Sequence, residues 1–96
     1  MKWLLHLRPE AEQDLAEASE WYEEKRAGLG HEFLDSVALA LRSLAHTPEL
    51  RPVYFRSFRR VLIARFPYKI FYQVIGDRIV VFRVMHAKQA HRRGLP

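Results

Sequence analysis

The spacing of apolar residues changes period midway along the chain. Ala11, Leu15, Ala18 and Tyr22 recur at intervals of four, three and four, which puts them on one face of an α-helix. Pro9 suits the first helical position. Glu10, Glu12 and Asp14 follow where the helix dipole favours negative charge. Lys25 and Arg26 lie near the other end, and Gly28-Leu29-Gly30 closes the helix. A second helix follows at once, with Leu34, Val37, Leu41 and Leu44 on its apolar face and Thr47-Pro48 as its stop. So short a link makes the two helices an antiparallel hairpin.

Beyond Pro52 the period falls to two. The alternation predicts strands over residues 59–65, 68–75 and 78–86, with a further strand or arm over 53–58. Pro67 separates the first two, and Gly76-Asp77 closes a tight hairpin between the last two. Ahead of the helices, Trp3 to Leu7 reads as a short strand ending at Pro9. The polar tail, residues 87–96, is expected to be partly mobile. The order β-α-α-β-β-β predicts an α+β fold: an antiparallel twisted sheet with an N-terminal helical hairpin packed on one face, in a single domain over residues 1–96.

Strand alternation assigns faces. Pairing Ile75 with Arg78 puts Tyr68, Ile70, Tyr72 and Val74 on one face with Ile79, Val81, Arg83 and Met85. Val61, Ile63 and Arg65 join them, and this apolar face is expected under the helices. The other face then holds Arg60, Leu62, Ala64, Lys69, Phe71, Gln73, Arg78, Val80, Phe82, Val84 and His86. A solvated sheet face accounts for polar residues there. Two features favour a binding surface: its charged members are all basic, and Phe71 and Phe82 would be costly on a face that touches nothing. A slip of one register position would exchange the faces.

Charge sharpens this picture. Residues 1–50 carry ten acids and five bases, whereas residues 51–96 carry eleven bases and one acid, Asp77. The net charge of +5 therefore joins a −5 half to a +10 half. The sequence pI near 10.0 favours polyanions, either acidic protein or nucleic acid, as partners. The chain has no cysteine, so thiolate chemistry and a disulfide framework are excluded. No apolar run approaches the roughly 18 residues that span a bilayer. The opening MKWLLHLRPEAE lacks the apolar core of about 7–15 residues that marks a secretory signal. No membrane partner and a cytoplasmic location are expected.

Candidate chemistry is sparse. His6, His31, His46, His86 and His91 show no metal-ligand spacing, so no metal is expected. The carboxylates of the first helix are spread around it and read as a solvated face. Phosphate-binding glycine loops are absent, and no cofactor is expected. Trp21-Tyr22 reads as packing. His86 ends a strand on the basic face. There it serves either as a strand-end hydrogen-bonding residue or as a general acid or base, with Lys69 and Arg60 stabilising phosphate charge.

The segments PEAEQDLAEASEWYEE (9–24), GLGHEFLDSV (28–37) and RRVLIARFPYKIFYQV (59–74), followed by a strand ending at His86, carry a resemblance. Together, in this order, they resemble the RelE/ParE toxin superfamily of type II toxin–antitoxin systems over nearly the whole chain. The WYEE, GLG and FPY pieces look most like its ParE, or plasmid-stabilisation, branch. The resemblance implies two helices on a twisted antiparallel sheet and a small cytoplasmic toxin that arrests growth. It implies a cognate antitoxin that wraps and neutralises the toxin, and operator DNA reached indirectly through that antitoxin.

Two activities divide the superfamily. RelE-like members cleave mRNA in the ribosomal A site, and ParE-like members inhibit DNA gyrase. The ribonuclease branch has an arginine after the position of Tyr68, where this chain has Lys69. That keeps the charge but loses the bidentate fork. An upstream base of that branch matches Arg60, a second falls on Leu62, and a histidine near the end of the last strand matches His86. An arginine of RelE falls on Gln89, and its C-terminal tyrosine has no counterpart. A ribonuclease would thus rely on His86, Lys69 and Arg60 as catalytic residues. The incomplete set favours the ParE reading, with Arg60, Lys69, Phe71, Gln73, Arg78, Phe82 and His86 as a surface for target or antitoxin. The alternatives are a ribosome-dependent mRNA endoribonuclease and an inactive partner in a repressor complex.

Overall fold

Proline at the first helical position and acids in the first turn start α1 where the sequence predicts, at Pro9–Lys25. The computed structural model describes residues 3–89 and 91–96. The chain runs β1 (Leu4–Leu7), α1, α2 (Leu29–His46), β2 (Val53–Phe55), β3 (Phe58–Leu62), β4 (Tyr68–Ile75), β5 (Arg78–His86) and a final 3₁₀ turn (His91–Gly94). The region expected as a strand or arm over 53–58 divides at a tight turn with Arg56 at φ 54°, so β2 and β3 form a hairpin. The sheet order is β1-β5-β4-β3-β2. Every pairing is antiparallel except that of β1 with β5, which is parallel.

Both helices cover one face. α1 buries Ala11 and Ala18, with Leu15 and Tyr22 packed against the same core. α2 buries Phe33, Val37 and Leu44. Leu34, expected in that stripe, points outward at 39% exposure, and Phe33 takes its place. Phe33 meets Phe66 and Tyr68 edge-on at 5.2 Å. The helices approach closely at Gly30, where a Cβ would collide with the Ser19 carbonyl oxygen. Glu23 folds back over this junction, accepting from the Gly28 and Gly30 backbone N–H groups at 2.8 and 3.0 Å.

The hairpin turn at Gly76-Asp77 sets the predicted register, Ile75 opposite Arg78, and it holds as far as Tyr72 opposite Val81. Then the register shifts: Phe71 faces Arg83, leaving Phe82 as an extra residue. A bulge of this kind inverts which side chains face which way beyond it. Val84 and His86 therefore share the helix-side face with Ile70 and Tyr68, whereas Met85 shares the opposite face with Lys69. The expected placement of Met85 under the helices and of Val84 and His86 on the basic face is corrected accordingly.

The bulge coincides with an ion pair. β1 pairs with β5 only as far as Val81, and α1 flanks the strand beyond it. Asp14 accepts from Arg83 Nε at 2.7 Å, from Arg83 Nη2 at 3.0 Å and from the Val84 backbone N–H at 2.9 Å. Arg83 also donates to the Gly94 carbonyl at 3.3 Å. One half-buried pair thus ties α1, the edge of β5 and the C-terminal turn together.

The tail expected to be mobile packs instead against the back of the sheet, Ala90 lying outside the described residues. Leu95 joins Phe58, Phe71 and Met85 in a second apolar cluster. The buried His91 ring lies 4.8 Å from Phe71, and its Nε2 donates to the His86 carbonyl at 2.9 Å.

Asp14→Ala would leave a buried N–H and a guanidinium without their carboxylate. A loss of about 2 kcal/mol is expected, since hydrogen bonds to charged groups contribute on the order of 1.5–3 kcal/mol; urea denaturation measures it, and an unchanged midpoint would contradict the latch. Gly30→Ala should cost about 1–3 kcal/mol by forcing the helices apart. Gly28→Ala, with open space around the Cβ but a φ of +89°, provides the comparison: its cost should reflect backbone strain, about 1 kcal/mol, rather than collision.

Candidate functional site

Strand β3 places Arg60 opposite Phe71 and Leu62 opposite Lys69. Arg60 and Lys69 therefore lie diagonally on the face away from the helices, about 7–8 Å apart for such a pair and somewhat closer at Cβ. Gln73 is on the same face, its side-chain amide donating to Ser57 Oγ at 2.7 Å. Phe71, expected as an exposed ring, is fully buried beneath the tail. Phe82 is half-buried, packed edge-on against Phe58 at 4.9 Å, with the Arg8 guanidinium 4.8 Å above its ring. Of the expected surface, Arg60, Lys69 and Gln73 are brought together, with Phe71 beneath them.

Arg78 and His86 are not part of that group. They stand at opposite ends of β5, about 26 Å apart at 3.3 Å per residue. The bulge turns His86 to the helix side, where its ring meets Tyr68 edge-on at 5.2 Å. His86 Nδ1 accepts from the Lys88 backbone N–H at 3.0 Å, so the ring proton is on Nε2. The His86 backbone N–H donates to Gln89 Oε1 at 2.6 Å. In this arrangement the ring offers a donor rather than a base.

His86 borders a cleft of 540 Å³ between α1 and the end of the sheet, shared with Asp14, Glu17, Trp21, Tyr68 and Gln89. Its charged wall is acidic apart from Arg83, which Asp14 already engages. Burial, and then the charge of Asp14, push the Tyr68 hydroxyl above its usual range; it stays neutral near pH 7. A phosphate would meet Glu17 and an already paired Arg83 on this side, whereas Arg60 and Lys69 lie on the other. Among the described residues, no group of three His, Asp or Glu side chains is placed to hold a metal ion, and no helix is long and apolar enough to cross a membrane.

The back face also contains residues that alternation alone did not single out. The guanidinium of Arg60 stacks 3.7 Å from the Tyr54 ring centroid. Arg92 lies 5.6 Å from Tyr54 and 5.0 Å from Phe55, and Arg56 lies 5.0 Å from Phe55. The signal available in the sequence was the run Tyr54-Phe55-Arg56, two aromatics and a cation in the segment whose strand or arm character was open.

Comparison with known proteins agrees with this fold. Residues 5–91 match the family described as the ParE toxin of the type II toxin–antitoxin system, parDE. No curated protein matches the sequence. Among solved structures, a chain of the chromosomal ParDE toxin–antitoxin system from P. aeruginosa superposes with a TM-score of 0.80 at 17% identity, covering 88% of this chain and 96% of that one. A double arginine-to-alanine mutant of E. coli toxin RelE in the free state superposes with a TM-score of 0.72 at 16% identity, covering 95% of this chain and 90% of that one. Likeness at this identity concerns the fold: helical hairpin, twisted sheet and strand order. The match over residues 5–91, together with that fold, makes this chain a member of the ParE toxin family of type II toxin–antitoxin systems.

Proposed function

We propose that the chain acts in the cytoplasm as a growth-arresting toxin that inhibits DNA gyrase and is neutralised by a cognate antitoxin. The observation that carries this reading is the division of the ribonuclease set between two faces of the sheet. Cleavage by 2′-hydroxyl attack needs a base, an acid and a phosphate clamp around one phosphate. Arg60 and Lys69 face one way, whereas His86 faces the other beside Glu17, with Nδ1 engaged. Leu62 and Gln89 fill two remaining positions without charge. Such a surface retains binding without assembled acid–base chemistry, and membership of the ParE family supports the same direction.

In this reading the target meets the back face around Arg60 and Lys69. The antitoxin is an acidic amphipathic segment. Its apolar residues meet Trp21, Leu34 and Leu39, which are 53%, 39% and 60% exposed beside the helical hairpin, and its acids meet the basic half. Operator DNA is reached through the antitoxin.

Purified toxin is expected to block gyrase supercoiling of relaxed plasmid, with antitoxin restoring it. The double reversal Arg60→Glu/Lys69→Glu should raise the toxin concentration required by about 10-fold or more, and His86→Ala should leave inhibition intact. Unaltered supercoiling at excess toxin would remove the gyrase assignment. If translating ribosomes instead yield A-site cuts that His86→Ala slows by about 10²-fold, the ribonuclease reading replaces it. Absence of growth arrest without antitoxin would leave only a repressor partner.

A further inference from the structure

The three guanidiniums of Arg56, Arg60 and Arg92 converge on two neighbouring rings, Tyr54 and Phe55, from β2, β3 and the C-terminal turn. Among the described residues no carboxylate pairs with any of them; the ion pairs engage Arg8, Arg26, His31, Arg65 and Arg83. A stacked guanidinium keeps its in-plane N–H groups free, and stacking holds those donors in a restricted set of directions. Beside the rings is a shallow pocket of 440 Å³ lined by Arg51, Tyr54, Arg60 and Leu62.

We propose that this arginine-capped aromatic platform binds the phosphate backbone of duplex DNA directly, without reading sequence. Three features select that ligand over other polyanions. The rings are already stacked with arginines, so bases of a single strand would have to displace them. The same stacking takes the two rings, though not the exposed Val53 and Leu62 beside them, from an amphipathic acidic peptide seeking an anchor. The acid-rich segment of α1 and α2 lies across the sheet, so a long polyanion is steered to the back face and its continuation meets little of the acidic layer. The inference does not require gyrase to be the target: it concerns contacts the toxin itself makes to DNA, whether held in a target complex or at an operator.

The test is fluorescence anisotropy with purified full-length toxin and a duplex of random sequence, titrated across salt. About three phosphate contacts predict a log K against log [salt] slope of about −2.7, or about 40-fold weaker binding between 50 and 200 mM salt. Arg56→Ala/Arg92→Ala, both at exposed positions, should reduce the slope by about 2. Lys25→Ala/Arg42→Ala, which removes equal charge from exposed positions on the helices, should leave it unchanged. Tyr54→Leu, checked for folding by circular dichroism, should weaken binding at constant net charge because it frees the guanidiniums it orders.

Several results would overturn the proposal: no binding at 50 mM salt, an equal loss of slope in both arginine and control pairs, or binding of polyglutamate as tight as that of the duplex. Loss of gyrase inhibition with DNA binding intact, or the reverse, separates this inference from the proposed function.

Discussion

The carboxylate of Asp14 accepts three hydrogen bonds from residues about seventy positions along the chain, two from Arg83 and one from the Val84 N–H. Each donor would otherwise be a liability. Beyond Val81 the outer edge of β5 has no strand beside it, and an unpaired N–H at a buried edge is costly. Asp14 caps that edge and neutralises Arg83, which burial alone would disfavour as a cation; the hydrogen bond to Asp14 outweighs burial and raises the Arg83 pKa above its usual value. The bulge at Phe82 is the geometry that lets one strand meet both requirements, β1 pairing before it and a helix-borne carboxylate after it.

The two candidate regions follow from that bulge. Without it, His86 would join Arg60 and Lys69 on the back face. With it, Met85 takes that place and packs under the tail with Phe58, Phe71 and Leu95. His86 moves to a cleft with Glu17 and Tyr68. Separation of histidine from cations is thus a consequence of strand packing.

Much of this was legible in the sequence, and the exceptions have physical causes. Pro9, the Ala11–Leu15–Ala18–Tyr22 stripe and the Gly76-Asp77 turn are local signals, and the elements they predict form as read. Faces were assigned correctly up to Tyr72 opposite Val81. They failed beyond it because the bulge answers to Asp14, about seventy residues away, and neither glycine nor proline marks it. One clue was present: strict alternation placed the charged Arg83 among Tyr68, Ile70 and Tyr72 in the expected core face. The tail carries no such signal, because only His91 and Leu95 of its described residues are buried, too few to create a period. Leu34 and Phe33 differ by one helical step, about 100°, which spacing between leucines could not resolve.

Charge segregation and aromatic stacking now have a common explanation. Cations without counterions repel one another, and folding places Arg56, Arg60 and Arg92 near the same two rings. Cation–π contact offsets part of that repulsion, by about 0.5–1 kcal/mol at exposed sites, without consuming the donors. A carboxylate would have offset more while occupying those donors, as Asp14 does with Arg83. Glu32 shows that outcome elsewhere: hydrogen bonds from Arg65 and then Arg26 hold its carboxyl below the usual range, and both cations are thereby engaged. Two groups of arginines are thus treated differently. Arg26, Arg65 and Arg83 are neutralised by carboxylates of the helical layer. Those over Tyr54 and Phe55 are held in place but left unpaired, the arrangement expected of a surface whose anion comes from outside the chain.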